Sequence, residues 1–368
     1  MRVVICGGGV IGAAIACFLA RRGAEAVVVE RTGLACAASG KAGGFLALDW
    51  CDGTPIEALA RRSFALHAAL AAELGGDWGW RRLATFGGIA GAPNRSGGGG
   101  LDWLSPAVTL TRRLGAPETT AQVHPAAFTA ALMRAAEERG AELRPGRVTG
   151  LLRRPGRDRV AGVTVEDGTV EGDAVVIAMG PWSVLAARWL PLPPVFGLKG
   201  HSLVFETGDR VSADALFLEA READGTAQSP EVFPRPDGTT YVCAVSSDAP
   251  LPADPAAVAP DPGAIERLQA LCSALSPLLA GAPVLARQAC YRPVTQDGLP
   301  FIGPVPGVEG AYVATGHGPW GILNAPATGE AMAELILDGV ARTVDLAPFD
   351  PARLPPLDPR RLRVGTAG

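Results

Sequence analysis

Residues 3–30 read VVICGGGVIGAAIACFLARRGAEAVVVE, and the rest of the chain is understood from them. Val3–Cys6 is a short apolar run of the kind that forms a buried strand. Gly7, Gly9 and Gly12 follow in the spacing G-x-G-x-x-G. The spacing of apolar residues then predicts a helix from about Val10 to Arg22, stopped by Gly23, and a second strand at Ala26–Val29 closed by Glu30. Each part has a task in holding a dinucleotide. Gly7 permits the tight strand-to-helix turn, Gly9 lets a pyrophosphate reach the backbone, and Gly12 lets helix and strand approach closely. The helix N-terminus offers unpaired N–H groups and a positive dipole end. Glu30 stands where a carboxylate accepts from ribose hydroxyls. A glycine triplet alone would suit any tight turn; strand, glycines, helix, strand and acid in this order point to dinucleotide binding.

The 368 residues leave room for two domains, and 48% apolar with 19% charged residues is an ordinary globular composition. A net charge of −4 with scattered arginines leaves no basic stripe, so nucleic acid is not expected as a partner. The first strand begins at Arg2 and no eighteen-residue apolar run occurs, which predicts a soluble cytoplasmic protein with no membrane partner. Seven cysteines without C-x-x-C pairs read as reduced thiols, and four dispersed histidines give no metal-ligand spacing. Lys41 and Lys199 are the only lysines, in the glycine-flanked segments SGKAGG and GLKGHS, which hints at a local role for each.

Further along, Ala38–Gly44 reads as a glycine-rich cofactor loop, and Pro55–Leu74 as an amphipathic helix. Gly91–Gly100 reads as a mobile surface connection, and about Ala126–Arg139 as a helix. Short strands are expected around Val148–Leu152, Arg159–Val165 and Thr169–Glu171. DAVVIAMGPWS at 173–183 returns the chain to the parallel sheet. Pro191–Arg287 changes to strands and turns with one helix near Ala264–Leu279, and a last helix is expected over Pro326–Asp338, capped by Gly339. The predicted fold is α/β: a Rossmann-like domain (1–80, 121–185 and 290–345), a mainly antiparallel second domain (81–120 and 186–289), and a tail at 346–368.

These segments, together with ACYRPVTQDGLPFIG at 289–303 and YVATGHGPWGILNAPATGEAMAELILDG at 312–339, resemble the FAD-dependent D-amino-acid oxidase superfamily, which includes glycine oxidase and sarcosine oxidase. The resemblance covers most of the chain outside 91–120 and the tail. It implies FAD extended across the first domain, with its ring at the interface to the second. Gly7, Gly9, Val10, Ile11, Gly12, Glu30 and Arg31 would hold the ADP half. Ser39, Lys41, Ala42, Gly43 and Gly44 would line the path towards the ring. Val148 would meet the adenine, and Gly180 and Trp182 would face the cofactor. Gly316, His317, Gly318, Pro319, Trp320, Gly321, Ile322 and Leu323 would pass the flavin pyrimidine edge, where N–H groups before a helix can stabilise negative charge.

The implied reaction takes a hydride from the carbon bearing an amine, leaving an imine. The implied partners are a small amine or amino acid with a carboxylate and O2 or another electron acceptor; the oligomeric state is left open. Arg292 matches an arginine that grips the substrate carboxylate in glycine oxidase, with an ion pair to an acid such as Asp297 as its structural alternative. Two departures stand out. Glycine oxidase has a second arginine where this chain has Pro319, and sarcosine oxidase has a lysine where this chain has Leu323. Trp320, Phe233 and Asn324 would shape a larger, less polar pocket. Glu231 is a candidate for binding an ammonium, and Lys199 or Lys41 for contacts to phosphate, flavin or O2. Cys290 matches the cysteine that carries the flavin covalently in sarcosine oxidase; glycine oxidase binds FAD without such a bond. An oxidase, a dehydrogenase passing electrons to a quinone or carrier, and a non-catalytic FAD scaffold are the three functions considered.

Overall fold

A computed structural model describes residues 1–91, 101–154 and 159–362, so the connection expected at Gly91–Gly100 falls, beyond Gly91, outside the described residues. Val3–Cys6 is fully buried, and strand Arg2–Cys6 lies inside a six-stranded sheet. The order is Phe301–Pro304, Ala311–Thr315, Ala174–Ile177, Arg2–Cys6, Glu25–Glu30 and Glu142–Pro145. Neighbours run parallel, apart from the antiparallel edge strand Phe301–Pro304. Burial on both faces explains the unbroken apolar runs. Val3, Ile5, Ala26 and Val28 pack beneath helices, whereas Val4, Cys6, Val27 and Val29 pack against a three-stranded antiparallel sheet at Val148–Arg153, Val160–Val165 and Gly168–Glu171.

The second large sheet has the order Val284–Val294, Phe196–Glu206, Thr239–Ser247, Glu231–Pro234, Ala215–Arg221, Thr85–Ala90 and Val108–Gly115. Its neighbours are antiparallel except for Ala215–Arg221 beside Thr85–Ala90. Leu203, Phe205, Leu216, Leu218, Val232 and Val242 bury one face against helix Ala264–Leu275. The domain boundary expected at residue 290 falls inside a strand: Cys290–Val294 pair with Phe196–Gly200 of this sheet. The helix expected to reach Leu279 breaks at Ser276, held extended at φ −154° by the following Pro277. A separate short helix, Pro277–Gly281, follows, with Ser276 as its N-cap. Residues 180–183, expected to end a strand, instead open a 3-10 helix over Gly180–Arg188.

The last helix runs over Gly321–Asp338, five residues earlier than expected, and Pro326 sits inside it. A proline is ordinarily read as the first residue of a helix because an interior one removes a backbone donor. Here helix Glu57–Leu74 repairs the gap. The carbonyl of Ile322, which a residue with an N–H at 326 would have bonded, accepts from His67 Nε2 at 3.0 Å. The Leu323 carbonyl lies 3.2 Å from the same nitrogen, and Ala327 N–H donates to Ser63 Oγ at 3.0 Å. Ser63 and His67 are four residues apart, hence on one face of their helix.

Burial brings the His67 imidazole down to about 4, so it is neutral near pH 7. The unfolded chain binds a proton near the ordinary 6.5, so the contribution is complete above that value and is lost as the pH falls towards 4. His317, lowered by burial to about 3, has the same sign. His67→Phe keeps a ring and removes the donor. It should lower unfolding stability in urea by about 1–3 kcal/mol. It should also make the loss of stability between pH 6.5 and 4 shallower, the remaining slope coming in part from His317; an unchanged slope would count against a neutral buried His67.

Candidate active site

A cavity of about 470 Å³ opens at the C-terminal ends of strands Arg2–Cys6 and Glu25–Glu30 and continues to the inner face of the second sheet. At its outer end the turn after the first strand has no room for side chains. Gly7 has φ +113°, and a Cβ there would lie 2.5 Å from the Ala178 carbonyl oxygen. A Cβ on Gly12 would lie 2.0 Å from the Gly7 oxygen; Gly12 therefore packs the turn and does not border the cavity. Gly7, Gly9, Val10 and Ile11 do border it. Ala38–Lys41, expected as loop, is one helical turn whose Ser39 Oγ accepts from Val10 N–H at 2.9 Å. Glu30 stands at the cavity edge, its Oε2 accepting from Gly8 N–H at 2.6 Å and its Oε1 from Thr32 N–H at 2.7 Å.

Val148, Gly180, Arg31 and Trp182 also border the cavity. The polar atoms of the last two are engaged elsewhere. Arg31 bonds the Ala253 carbonyl at 3.0 Å and pairs with Asp254 at 2.7 Å, while Trp182 Nε1 donates to the Pro252 carbonyl at 2.8 Å. They fasten a segment whose Pro255 lines the cavity, a contact that sequence reasoning missed because no motif marks it. Ala42, Gly43 and Gly44 line the middle; a Cβ on Gly43 would meet the Phe233 ring at 2.3 Å. His317 and its neighbours Gly316 and Gly318–Ile322 complete that wall, whereas Leu323 does not line it.

Both lysines lie outside the lining. Lys199 pairs with Asp261 at 2.5 Å and lies over the Tyr291 ring, which removes it as a candidate for contact with substrate or flavin. Lys41 Nζ donates to the Ala289 carbonyl at 3.3 Å. Asn324 is buried in the helix core, away from the lining.

The inner end is built by strand alternation. Glu231 is paired with Cys243 on one side and Phe217 on the other, and Cys290 with Gly200. These residues, with Phe233, Tyr241 and Arg292, share the sheet face that borders the cavity. Phe45 and Trp50 close over them, each with its ring centroid 4.9 Å from that of Phe217. The sequence carried alternation here but nothing to say which face was wet, so Phe45, Trp50, Phe217, Tyr241 and Cys243 were missed.

The Arg292 side chain has no hydrogen bond and no ion pair within 4.0 Å among the described residues. The pairing considered with Asp297 is absent, because Arg353 holds that carboxylate at 2.7 Å. Burial opposes the Arg292 charge, but the acidic groups around it outweigh that effect, and near neutral pH the guanidinium is a cation facing the Glu231 carboxylate. Its fork lies over Gly200, where a Cβ would sit 3.7 Å from Nη1. Burial pushes the Cys290 thiol up against the opposing pull of Arg292 and Lys41, so it is a thiol rather than a thiolate near neutral pH.

The residues present fit an extended dinucleotide. Side-chain-free backbone and a helix N-terminus border the cavity, with a carboxylate at one end and a largely aromatic chamber at the other. Comparison with known proteins agrees. The family described as FAD dependent oxidoreductase matches residues 2–335. A putative oxidoreductase of Schizosaccharomyces pombe is 31% identical over 95% of this chain and 97% of its own. A putative oxidoreductase of Saccharomyces cerevisiae is 32% identical over 81% of this chain, which spans only 58% of that protein. The crystal structure of glycine oxidase from Geobacillus kaustophilus superposes with a TM-score of 0.80 at 27% identity, covering 96% of this chain and 99% of that one. The expected two-domain α/β architecture of the D-amino-acid oxidase type is thereby established, as is FAD as cofactor. The chain belongs to the family of FAD dependent oxidoreductases, and is an enzyme related to the glycine and amino-acid oxidases.

Proposed function

We propose that this enzyme oxidises the C–N bond of an amino acid or secondary amine bearing a carboxylate, giving an imine, with O2 as acceptor and H2O2 as its product. The observation that carries this reading is Arg292, a cationic fork facing the chamber with no protein partner among the described residues. The guanidinium is half-buried and leaves its N–H fork to a ligand, and a carboxylate accepting two parallel N–H bonds is the ligand that fits it. Bound FAD supplies a two-electron acceptor for the C–H bond beside the amine nitrogen. The chain's own residues do the positioning. Gly9 and the first turn of helix Val10–Arg21 take the pyrophosphate, Glu30 the ribose and the Val148 backbone the adenine. Arg292 anchors the substrate, and the aromatic walls keep water from the reacting carbon.

Anaerobic bleaching of the flavin by a panel of amino acids, N-substituted glycines and simple amines tests the reading. Bleaching confined to carboxylate-bearing amines is the expected result, and oxygen uptake with peroxide formation then separates an oxidase from a dehydrogenase. Gly9→Val places a branched side chain between phosphate and backbone, crowding Ser39, whose Oγ already lies 3.1 Å from a Cβ at that position. That variant should purify colourless, and full FAD content would refute the role given to the turn. Arg292→Lys keeps the charge and loses the fork. It should lower kcat/KM for carboxylate substrates by ~10²-fold, about 3 kcal/mol, while amines without a carboxylate change little. Equal losses for both would make the arginine structural. Because attachment to Cys290 needs a thiolate, acid precipitation should release all the FAD to the supernatant. Colour retained in the pellet would establish the covalent link instead.

A further inference from the structure

Glu231 has no task in the scheme above, yet it shares the chamber wall with Arg292. Its sole hydrogen-bond partner among the described residues is Cys243, whose thiol donates to Oε2 at 3.4 Å. A thiol is a weak donor, and Oε1 has no donor among the described residues. No Arg292 nitrogen comes within 4.0 Å of the carboxylate, so the two opposite charges face one chamber without satisfying each other. Strand geometry holds them apart: Arg292 projects from strand Val284–Val294, and Glu231 from Glu231–Pro234, with two strands between.

We infer that Glu231 is a catalytic residue that accepts the ammonium proton of an amino acid with a bulky apolar side chain, while Arg292 holds that amino acid's carboxylate. The inference rests on the amine-oxidation reading and adds the group that makes the amine reactive. A ligand with a carboxylate alone would leave Glu231 facing a second anion, and an amine alone would leave Arg292 unpaired. A zwitterion answers both charges.

In the step itself one ammonium N–H bond breaks and one O–H bond forms on Oε1. The nitrogen keeps the electron pair that its oxidation requires, and no further reactant is needed. Burial makes Glu231 readier to hold a proton, against the opposing pull of Arg292 and the Cys243 bond. Four other titratable groups on the same wall keep their charge state in the neutral range. Burial holds Tyr241, Cys243 and Cys290 protonated, and Arg292 remains a cation. The opposite wall, Phe45, Trp50 and Trp320, contributes no charge and suits an apolar side chain.

The test uses the FAD-loaded enzyme and α-methylphenylalanine, a zwitterion with no hydrogen on its α-carbon and therefore not oxidisable. Its binding is read from the perturbed flavin absorbance and compared with 3-phenylpropanoate, which lacks the amine. The wild type should bind the zwitterion at least ~10-fold more tightly than the acid. Glu231→Gln should erase that preference, and Glu231→Asp should restore part of it. Anaerobic bleaching by phenylalanine at pH 7 should slow ~10²-fold in Glu231→Gln. It should then recover about tenfold per pH unit as free neutral amine accumulates. An unchanged preference and an unchanged pH profile in Glu231→Gln, with FAD bound normally, would overturn the inference alone, provided that 3-phenylpropanoate still binds through Arg292. Failure of the wild type to bind either probe, or to be bleached by any amine, would overturn the amine-oxidation reading and this inference with it.

Discussion

The first helix can stand where it does only because two of its closest approaches are made at glycines. At its start, Gly12 rests on the Gly7 carbonyl, with 2.0 Å left for a Cβ that is not there. Further along, Gly329 of the last helix lies against Ala14, where a Cβ would fall 2.7 Å from a backbone carbon. The first contact aims the helix N-terminus into the cavity, and the second brings in the helix whose own first turn forms part of the cavity wall. Glycine at both contacts thus lets two helix N-termini meet one space. Both offer backbone donors and positive dipole ends to a ligand that carries phosphates and accepts electrons.

The second wall depends on a repair. Pro326 interrupts the bond ladder of the last helix one turn after it begins, which would ordinarily leave the Gly321–Pro326 turn to unwind. Ser63 and His67 supply the missing partners from a neighbouring helix, and His67 is kept rigid by stacking against Trp80 and packing on Phe128. The cavity wall is consequently held from behind by a neutral imidazole rather than by its own helix. Proline at this point leaves the Ile322 carbonyl free for an outside donor, so the order of the segment derives from tertiary contact instead of local propensity.

The substrate end follows a different logic. A seven-strand path of mostly antiparallel sheet buries alternate residues beneath a helix and turns the remainder towards the cavity. This places isolated charges, thiols and aromatic rings on one wall although they are far apart in the chain. Arg292 and Glu231 come from strands separated by two others, a spacing that keeps them from collapsing into an ion pair. The positions at which the relatives named by resemblance carry a second basic side chain hold Pro319, at the cavity edge, and Leu323, outside it. The charged side chain that shares the wall with Arg292 here is an acid, Glu231.

The dinucleotide half was legible because its physics is local. A turn that admits only glycine, a helix start and an acid at a strand end each leave a mark within thirty consecutive residues, from Val3 to Glu30. The strand at Ala174–Ile177 and the glycines around His317 were legible for the same reason. Tertiary structure decided the remainder. Lys199, rare and glycine-flanked, proved to be neutralised by Asp261, sixty-two residues on. Asp297 proved to belong to Arg353, which left the Arg292 side chain without an ion pair among the described residues. Proline at 326 signalled a helix start to any reading confined to neighbours in sequence, because the donor that replaces its missing N–H, His67 Nε2, belongs to a residue about 260 positions earlier in the chain. Alternation along the second sheet was visible as a pattern. Which face looked into the cavity depended on where a helix from residues 264–275 came to rest, and a period of two is blind to that choice.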